Sequence, residues 1–248
     1  MHELTSQNVS NRYRGSALGV LWSLLNPLTM TIVYVTVFGS LFKKYYAGSP
    51  YQYAMSVLIG LLVVTFFSQS TSQALAAVVA NAALLQKVRV PFAVFPTSAI
   101  AMQVVQFVTA ALPLLVLITV FASRDIFHIV LLFVPILALF LLAQGVGLLA
   151  SVAYVYFRDF SYIYDMVLFV LWATSPIFYP VAILPPRART LLLFNPLYPI
   201  MDSLRGLALR SGPPNWLELA AAVSIGAAAL ALGAGVFRFA RRGVMDLL

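Results

Sequence analysis

Long apolar runs alternate along the chain with short polar, basic interruptions. The runs fall at 18–42, 53–79, 93–121, 129–157, 162–179 and 216–239. Most exceed the ~20 residues that an α-helix needs to cross a hydrocarbon core of ~30 Å. The pattern therefore predicts an all-α polytopic membrane protein with six transmembrane helices, one transmembrane domain over 1–248. The first run is too long for the apolar stretch of a signal peptide and no small-x-small cleavage site follows it, so it is counted as a span. Pro113 and Pro135 lie inside two of the runs and predict kinks, because proline lacks the N–H that the helical ladder uses. The second run carries "TFFSQSTSQ" in its C-terminal half. Those hydroxyl and amide side chains require a helix-packed or watered surrounding, not lipid.

Composition agrees with the pattern. The chain has 248 residues, 62% hydrophobic and 9% charged, where a soluble domain of this length carries about a quarter of its residues charged. The net charge of +8 does not signal nucleic acid, because the basic residues sit in clusters between the apolar runs. With the N-terminus inside, Arg12, Arg14, Lys87, Arg89, Arg158, Arg238, Arg241 and Arg242 lie on the cytoplasmic side. Lys43, Lys44, Arg124, Arg187, Arg189, Arg205 and Arg210 lie on the other, and four of these fall in one unusual segment. With that segment set aside, the positive-inside rule places both termini in the cytoplasm. The absence of cysteine excludes disulfides, thiolate metal sites and a cysteine nucleophile.

The unusual segment, within "SPIFYPVAILPPRARTLLLFNPLYPIMDSLRGLALRSGPP", alternates prolines with apolar patches too short to span. It reads as a re-entrant or interfacial helical pair over 180–212, between helices five and six; the competing reading is an ordinary outer loop. Asp202 and Arg205, three residues apart, could pair on a helix face there. In "FRDF", Arg158 and Asp159 stand side by side at a membrane edge, and Asp159 is placed to cap the helix that begins near Ser161. Asp165 falls one turn inside the fifth span, where a carboxylate either serves function or snorkels to water. Tyr34, Phe38 and Phe42 recur every four residues and align on one face of the first helix. That stripe either packs against helices or lipid, or lines a path for a ligand.

At the start of the first span stands "NRYRGSALGVLWSLLNP". Arg12 and Arg14 suit phosphates, Tyr13 and Trp22 suit the headgroup region, and 1–17 could lie along the interface. The plain alternative is a membrane anchor. The cytoplasmic stretch 81–91, "NAALLQKVRVP", offers an apolar "ALL" face, two cations and a terminating Pro91, and is read either as a docking segment or as a solvated loop.

"RYRGSALGVLWSLLNPL" followed by "VFGSLF" resembles the start of permeases of the type-2 ABC polysaccharide and polyol-phosphate export family, which export O-antigens, capsules and teichoic acids. "LLQKVRVPFAVFP" at 84–96, "YFRDF" at 156–160 and "SPIFYP...NPLYPIMDSLR" are similar, in order, to the family's cytoplasmic stretch after helix two, its loop between helices four and five, and its re-entrant outer hairpin. Only a short stretch precedes "RYRGS", less than the family's interface helix. The resemblance implies that Arg12, Tyr13, Arg14 and Trp22 flank the inner entrance for a lipid-linked glycan, and that Tyr34, Phe38 and Phe42 line its channel. It makes Leu84, Leu85, Gln86, Lys87, Arg89 and Pro91 the coupling helix to an ATPase. Arg158, Asp159, Asp165, Asp202 and Arg205 become gating or structural residues.

The sequence contains no GxxxxGK[ST] phosphate loop. Under the resemblance the chain binds no cofactor, ATP and magnesium sit on a separate ABC ATPase subunit present in two copies, and a second copy of this chain completes the path. Its other partners are membrane lipids and a lipid-linked glycan, with no nucleic acid, and it sits in the bacterial cytoplasmic membrane. The alternative reading is a secondary transporter or channel for another lipid or small solute; a proton- or ion-coupled carrier normally needs charged residues near the bilayer midplane, and only Asp165 lies inside a span. An intramembrane enzyme needs an acid and base or metal ligands, and the histidines are His2 at the start and His128 in a loop.

Overall fold

The computed structural model describes residues 22–46, 48–85 and 91–247, with the side chains of 22–23, 84–85 and 241–247 outside the description. Its elements are α1 (Trp22–Phe42), a 3-10 turn (Lys43–Tyr45), α2 (Pro50–Ala80), α3 (Ala82–Leu85), α4 (Val94–Gln106), a π segment (Phe107–Ala111) and α5 (Leu112–Ala122). Then come α6 (Ile126–Leu131), α7 (Phe133–Tyr156), α8 (Phe160–Thr174), a 3-10 turn (Val181–Ile183), α9 (Pro186–Leu192), α10 (Leu197–Leu209) and α11 (Trp216–Leu247). No strand occurs among the described residues.

Among the described residues, five stretches are long and apolar enough to cross a membrane: Leu24–Tyr45, Pro50–Ala80, Val94–Ala122, Ile126–Tyr156 and Trp216–Ala240. The sixth expected span, 162–179, is the shorter helix α8, which ends at Thr174. The reason is local. Ser175 precedes Pro176 and takes an extended backbone, φ −72° and ψ 130°, because the proline ring disfavours α geometry in the residue before it. At ~1.5 Å per residue, 15 residues reach only about 22 Å.

The helix that seemed least suited to lipid is the centre of the fold. α2 is started by Ser49, whose hydroxyl accepts from the Gln52 N–H at 3.4 Å, with Pro50 in the first turn, where no N–H is needed. It buries Val57 through Val64 without interruption, and packs against α7, α4 and α1. Ser70 and Thr71 of "TFFSQSTSQ" are fully enclosed by protein, and the Thr71 hydroxyl donates to the Phe67 carbonyl at 2.8 Å. Polar residues in this span face helices, as their chemistry required.

Pro113 and Pro135 each stand just after a departure from the regular helix. Pro113 follows the π segment, in which the Leu112 N–H reaches five residues back to the Phe107 carbonyl. Pro135 follows the single-residue break at Leu132 between α6 and α7. In each case the ring would collide with the carbonyl four residues earlier, and the widened or broken turn relieves that clash.

α11 lies on α7 with almost no side chain between the backbones. A Cβ on Gly145 would meet the Ala229 carbonyl, one on Gly233 the Gly145 carbonyl, and one on Gly226 the Ala138 carbonyl. Small residues permit this approach, which replaces the missing hydrophobic drive between helices in lipid with close van der Waals contact. α10 inserts an apolar face of Leu197, Ile200, Met201, Leu204, Leu207 and Ala208 into the same core. The segment 180–212 thus holds a pair of helices, α9 and α10, and not an irregular loop.

Candidate functional site

The aromatic stripe is assembled with partners the periodicity did not reveal. Phe178, just beyond the Ser175–Pro176 break, stacks on Tyr34 with ring centroids 5.0 Å apart and planes at 10°, and on Phe38 at 6.0 Å. Phe38 stacks on Phe42 at 5.9 Å, Phe42 meets Tyr53 at 6.2 Å, and Phe178 continues to Trp172 at 6.1 Å and on to Phe169. A continuous aromatic ladder therefore joins α1 to the end of α8. Tyr34, Phe38 and Phe42 are half buried, while Ile32, Val33, Val37 and Leu41 on α1 and Met166, Phe169 and Val170 on α8 are exposed. Tyr164 is the sole buried residue of α8.

At the end of the bundle that carries the 43–49 turn and the helical pair, Arg205 is the organising residue. Its Nε and Nη2 donate to the Ser56 carbonyl at 3.0 and 2.9 Å, Nη1 to the Pro176 carbonyl at 2.8 Å, and Nη2 also to the Ile177 carbonyl at 3.1 Å. One guanidinium thus ties α10 to α2 and to the break after α8. The planar fork suits this task, since it offers several donors in fixed directions and keeps its charge. Gly60 makes room: a Cβ there would lie 2.8 Å from Arg205 Nη2 and 3.3 Å from the Met201 sulfur. The expected Asp202–Arg205 ion pair is not formed, and no salt bridge joins them among the described residues. The backbone carbonyls freed at Pro176 and Ile177 outcompete a neighbouring carboxylate, because buried acceptors without a donor are costly. Asp202 still favours the charge on Arg205, whose pKa burial lowers and Tyr46, Asp202 and Tyr198 raise.

Asn195 completes the knot. Its Nδ2 lies within 3.0–3.1 Å of the Leu171 carbonyl, the Thr174 hydroxyl and the Ser175 hydroxyl, while its Oδ1 accepts from the Leu197 N–H at 3.0 Å. The Tyr53 hydroxyl donates to the Phe178 carbonyl at 2.9 Å. His128 lies in α6, not in a loop, and is buried. Its Nδ1 stands 2.6 Å from the Ser123 hydroxyl and 3.0 Å from the Leu207 carbonyl, and Nε2 stands 2.9 Å from the Gly212 carbonyl. It fastens α6 to the end of α10.

Above Arg205 opens a cavity of about 370 Å³, lined among others by Tyr45, Tyr46, Tyr179, Tyr198, Asp202 and Arg210. A smaller crevice of about 30 Å³ lies between α1, α2 and the π segment, where Gln103 and Gln106 carry amide atoms with no described partner.

At the opposite end, the Arg158 guanidinium sits 5.5 Å from the Tyr154 ring centre, a cation–π contact. Asp159 is the residue before α8, as expected, but its carboxylate makes no capping bond. Asp165 is exposed on α8. Arg12, Tyr13, Arg14, Gln86, Lys87 and Arg89 and the side chains of Trp22, Leu84 and Leu85 lie outside the described residues; Pro91 is exposed. No group of acidic, histidine or cysteine side chains able to hold a metal occurs among the described residues.

Several curated proteins are similar over most of this chain. An O-antigen export system permease protein, RfbA, of Myxococcus xanthus is 28% identical over 96% of this chain and 91% of its own length. An RfbA permease of Klebsiella pneumoniae is 24% identical over 94% and 89%. The capsule polysaccharide export inner-membrane protein CtrC of Neisseria meningitidis serogroup A is 26% identical over 78% and 73%. Residues 1–209 match the family model described as ABC-2 type transporter, and this multi-pass membrane protein belongs to that family.

Proposed function

We propose that the chain is the membrane-spanning subunit of an ATP-driven exporter that moves a lipid-linked polysaccharide across the cytoplasmic membrane. The observation that carries this reading is the similarity to the O-antigen permease of Myxococcus xanthus over nearly the full length of both chains. The sixth crossing is α8, about 22 Å of helix, continued by the bent, non-helical residues 175–179 that follow it. Both termini are then cytoplasmic, α9 and α10 form a re-entrant outer hairpin, and Arg205 holds that hairpin to α2.

Two copies of the chain enclose the path. The apolar faces of α1 and α8, too extensive for one chain in water, meet lipid and the second copy. The aromatic ladder from Phe42 to Phe169 lines the route, since the C–H faces of sugars slide over rings without strong hydrogen bonds that would hold the polymer in place. Arg12 and Arg14 receive the pyrophosphate of the lipid carrier, Arg158 and Asp159 edge the inner gate, and the segment 81–91 docks on the ATPase. Energy comes from two separate ATPase subunits that carry ATP and magnesium.

The test is co-purification of this chain with the ATPase of its own gene neighbourhood. The expected result is a complex in which Lys87→Glu with Arg89→Glu leaves membrane abundance intact but weakens ATPase retention and export. Intact retention and export in that variant would remove the docking role, and failure of any ATPase to associate would overturn the exporter reading.

A further inference from the structure

The cavity of about 370 Å³ above Arg205 falls within the size range of small-molecule sites and gathers groups from three parts of the chain. Tyr45, Tyr46 and Gln52 come from the first turn and the start of α2, Tyr179 from the segment after α8, and Tyr198, Asp202 and Arg210 from α10 and its end. Its lining distinguishes it from a packing defect: phenols, an amide and charged groups face one another across it. Asp202, half buried in that lining, has neither an ion pair nor a hydrogen bond among the described residues, so its carboxylate is free to accept from an occupant.

The chemistry narrows the occupant. A divalent cation needs several oxygen ligands of negative charge, and Asp202 is the lone acid in the lining. An acyl chain would not be matched by phenols, an amide and charged groups. A fully ionised phosphate would meet the Asp202 carboxylate with Arg210 as its one free cation among the described residues of the lining, since four donor contacts of Arg205 already serve carbonyls. A pyranose suits what remains: its C–H faces rest on the tyrosine rings, and its vicinal hydroxyls donate to a carboxylate while accepting from phenol and amide groups. Burial, with Asp202 and Glu218, raises the Tyr198 pKa and keeps that phenol a donor.

We infer that this cavity is a saccharide-binding subsite, in which Asp202 and Gln52 hydrogen-bond the hydroxyls of one pyranose unit stacked against Tyr46 and Tyr198. The inference rests on the exporter reading and deepens it: the subsite holds the polymer at the outer mouth, at the end of the aromatic ladder, where Tyr46 meets Tyr53 and Tyr179 meets Phe178. One unit bound there resists backward slip between strokes.

The experiment uses the permease with its ATPase in lipid nanodiscs and a panel of methyl pyranosides as probes, read by saturation-transfer NMR. At least one glycoside should bind, and Asp202→Asn should weaken it about tenfold, as expected for loss of a charge-assisted hydrogen bond. Tyr198→Ala should do the same, while Tyr198→Phe should retain most of the stacking. Melting curves of the variants confirm folding, and Gln52→Leu provides a third lining change outside α10. Binding by no glycoside, or equal binding by Asp202→Asn and wild type, would overturn the subsite. Surface polysaccharide in a deletion strain restored by wild-type permease separates the two claims: restored export without glycoside binding refutes the subsite alone, and a deletion without effect on export refutes the exporter reading.

Discussion

Removing the Arg205 side chain should loosen the whole outer end of the molecule. Arg205→Ala strips the Pro176 and Ile177 carbonyls of the guanidinium donors seen at 2.8 and 3.1 Å. Each buried acceptor left without a partner costs about 1–3 kcal/mol, so the pair costs about 2–6 kcal/mol. For a chain of this length 1 kcal/mol corresponds to about 2–4 °C, which gives a Tm lower by roughly 4–24 °C. Arg205→Lys should fall between, because an ammonium keeps the charge but not the planar fork. The Ser56 carbonyl is less sensitive, since it lies within α2. Gly60 provides the internal control: a Cβ there would stand 2.8 Å from Nη2, and overpacking of this kind costs about 1–3 kcal/mol. Once Arg205 is already alanine, Gly60→Ala should cost far less, because the colliding atom is gone. The double-mutant cycle, followed by fluorescence melting of the purified permease, should therefore be strongly non-additive. Additive losses, or an Arg205→Ala protein that melts within about 2 °C of wild type, corresponding to less than ~1 kcal/mol, would refute the knot.

Three further outcomes follow from the same geometry. Gly145→Leu should prevent α11 from seating on α7 and lower both the melting temperature and the membrane abundance of the permease, whereas Gly235→Leu, with open space around it, should not; equal effects would refute the backbone contact. Because the chain has no native cysteine, single cysteines replacing the exposed Lys44 and Arg187 should react with an impermeant thiol reagent outside intact cells, and Gln86→Cys should not; labelling of Gln86→Cys would reverse the orientation. Arg12→Lys with Arg14→Lys retains charge but loses the bidentate fork, so this permease should insert normally and export poorly; normal export at equal abundance would make the segment a simple anchor.

Much of this architecture was legible because lipid imposes length on apolar segments. Four of the expected runs reappear as helices within a few residues of their predicted bounds, and the first reappears as Leu24–Tyr45, with its expected start at 18–21 outside the described residues. The sixth did not, because hydropathy continues through "SPIFY" while the backbone stops at Ser175, and only the dipeptide Ser175–Pro176 signals the stop. Spacing offers Arg205 the carboxylate of Asp202; the structure gives it the Ser56 carbonyl, 149 positions away in sequence, and the Pro176 and Ile177 carbonyls at the helix break. The available signal was a helix interruption inside an apolar segment, which must leave acceptors, together with an arginine able to satisfy them. Phe178 was missed because it belongs to no periodic stripe, and its role appears only when the chain folds back on α1. Asp159 shows the reverse: its position before α8 was readable, but a capping bond depends on dihedral angles that sequence does not specify.

The claim that this chain exports a lipid-linked polysaccharide is tested most directly by deleting it in its host and measuring where the polymer accumulates. Surface polysaccharide should disappear, lipid-linked polymer should build up on the cytoplasmic face of the inner membrane, and wild-type permease supplied in trans should restore the surface layer. Normal surface polysaccharide in the deletion strain, with no intracellular accumulation, would contradict the account.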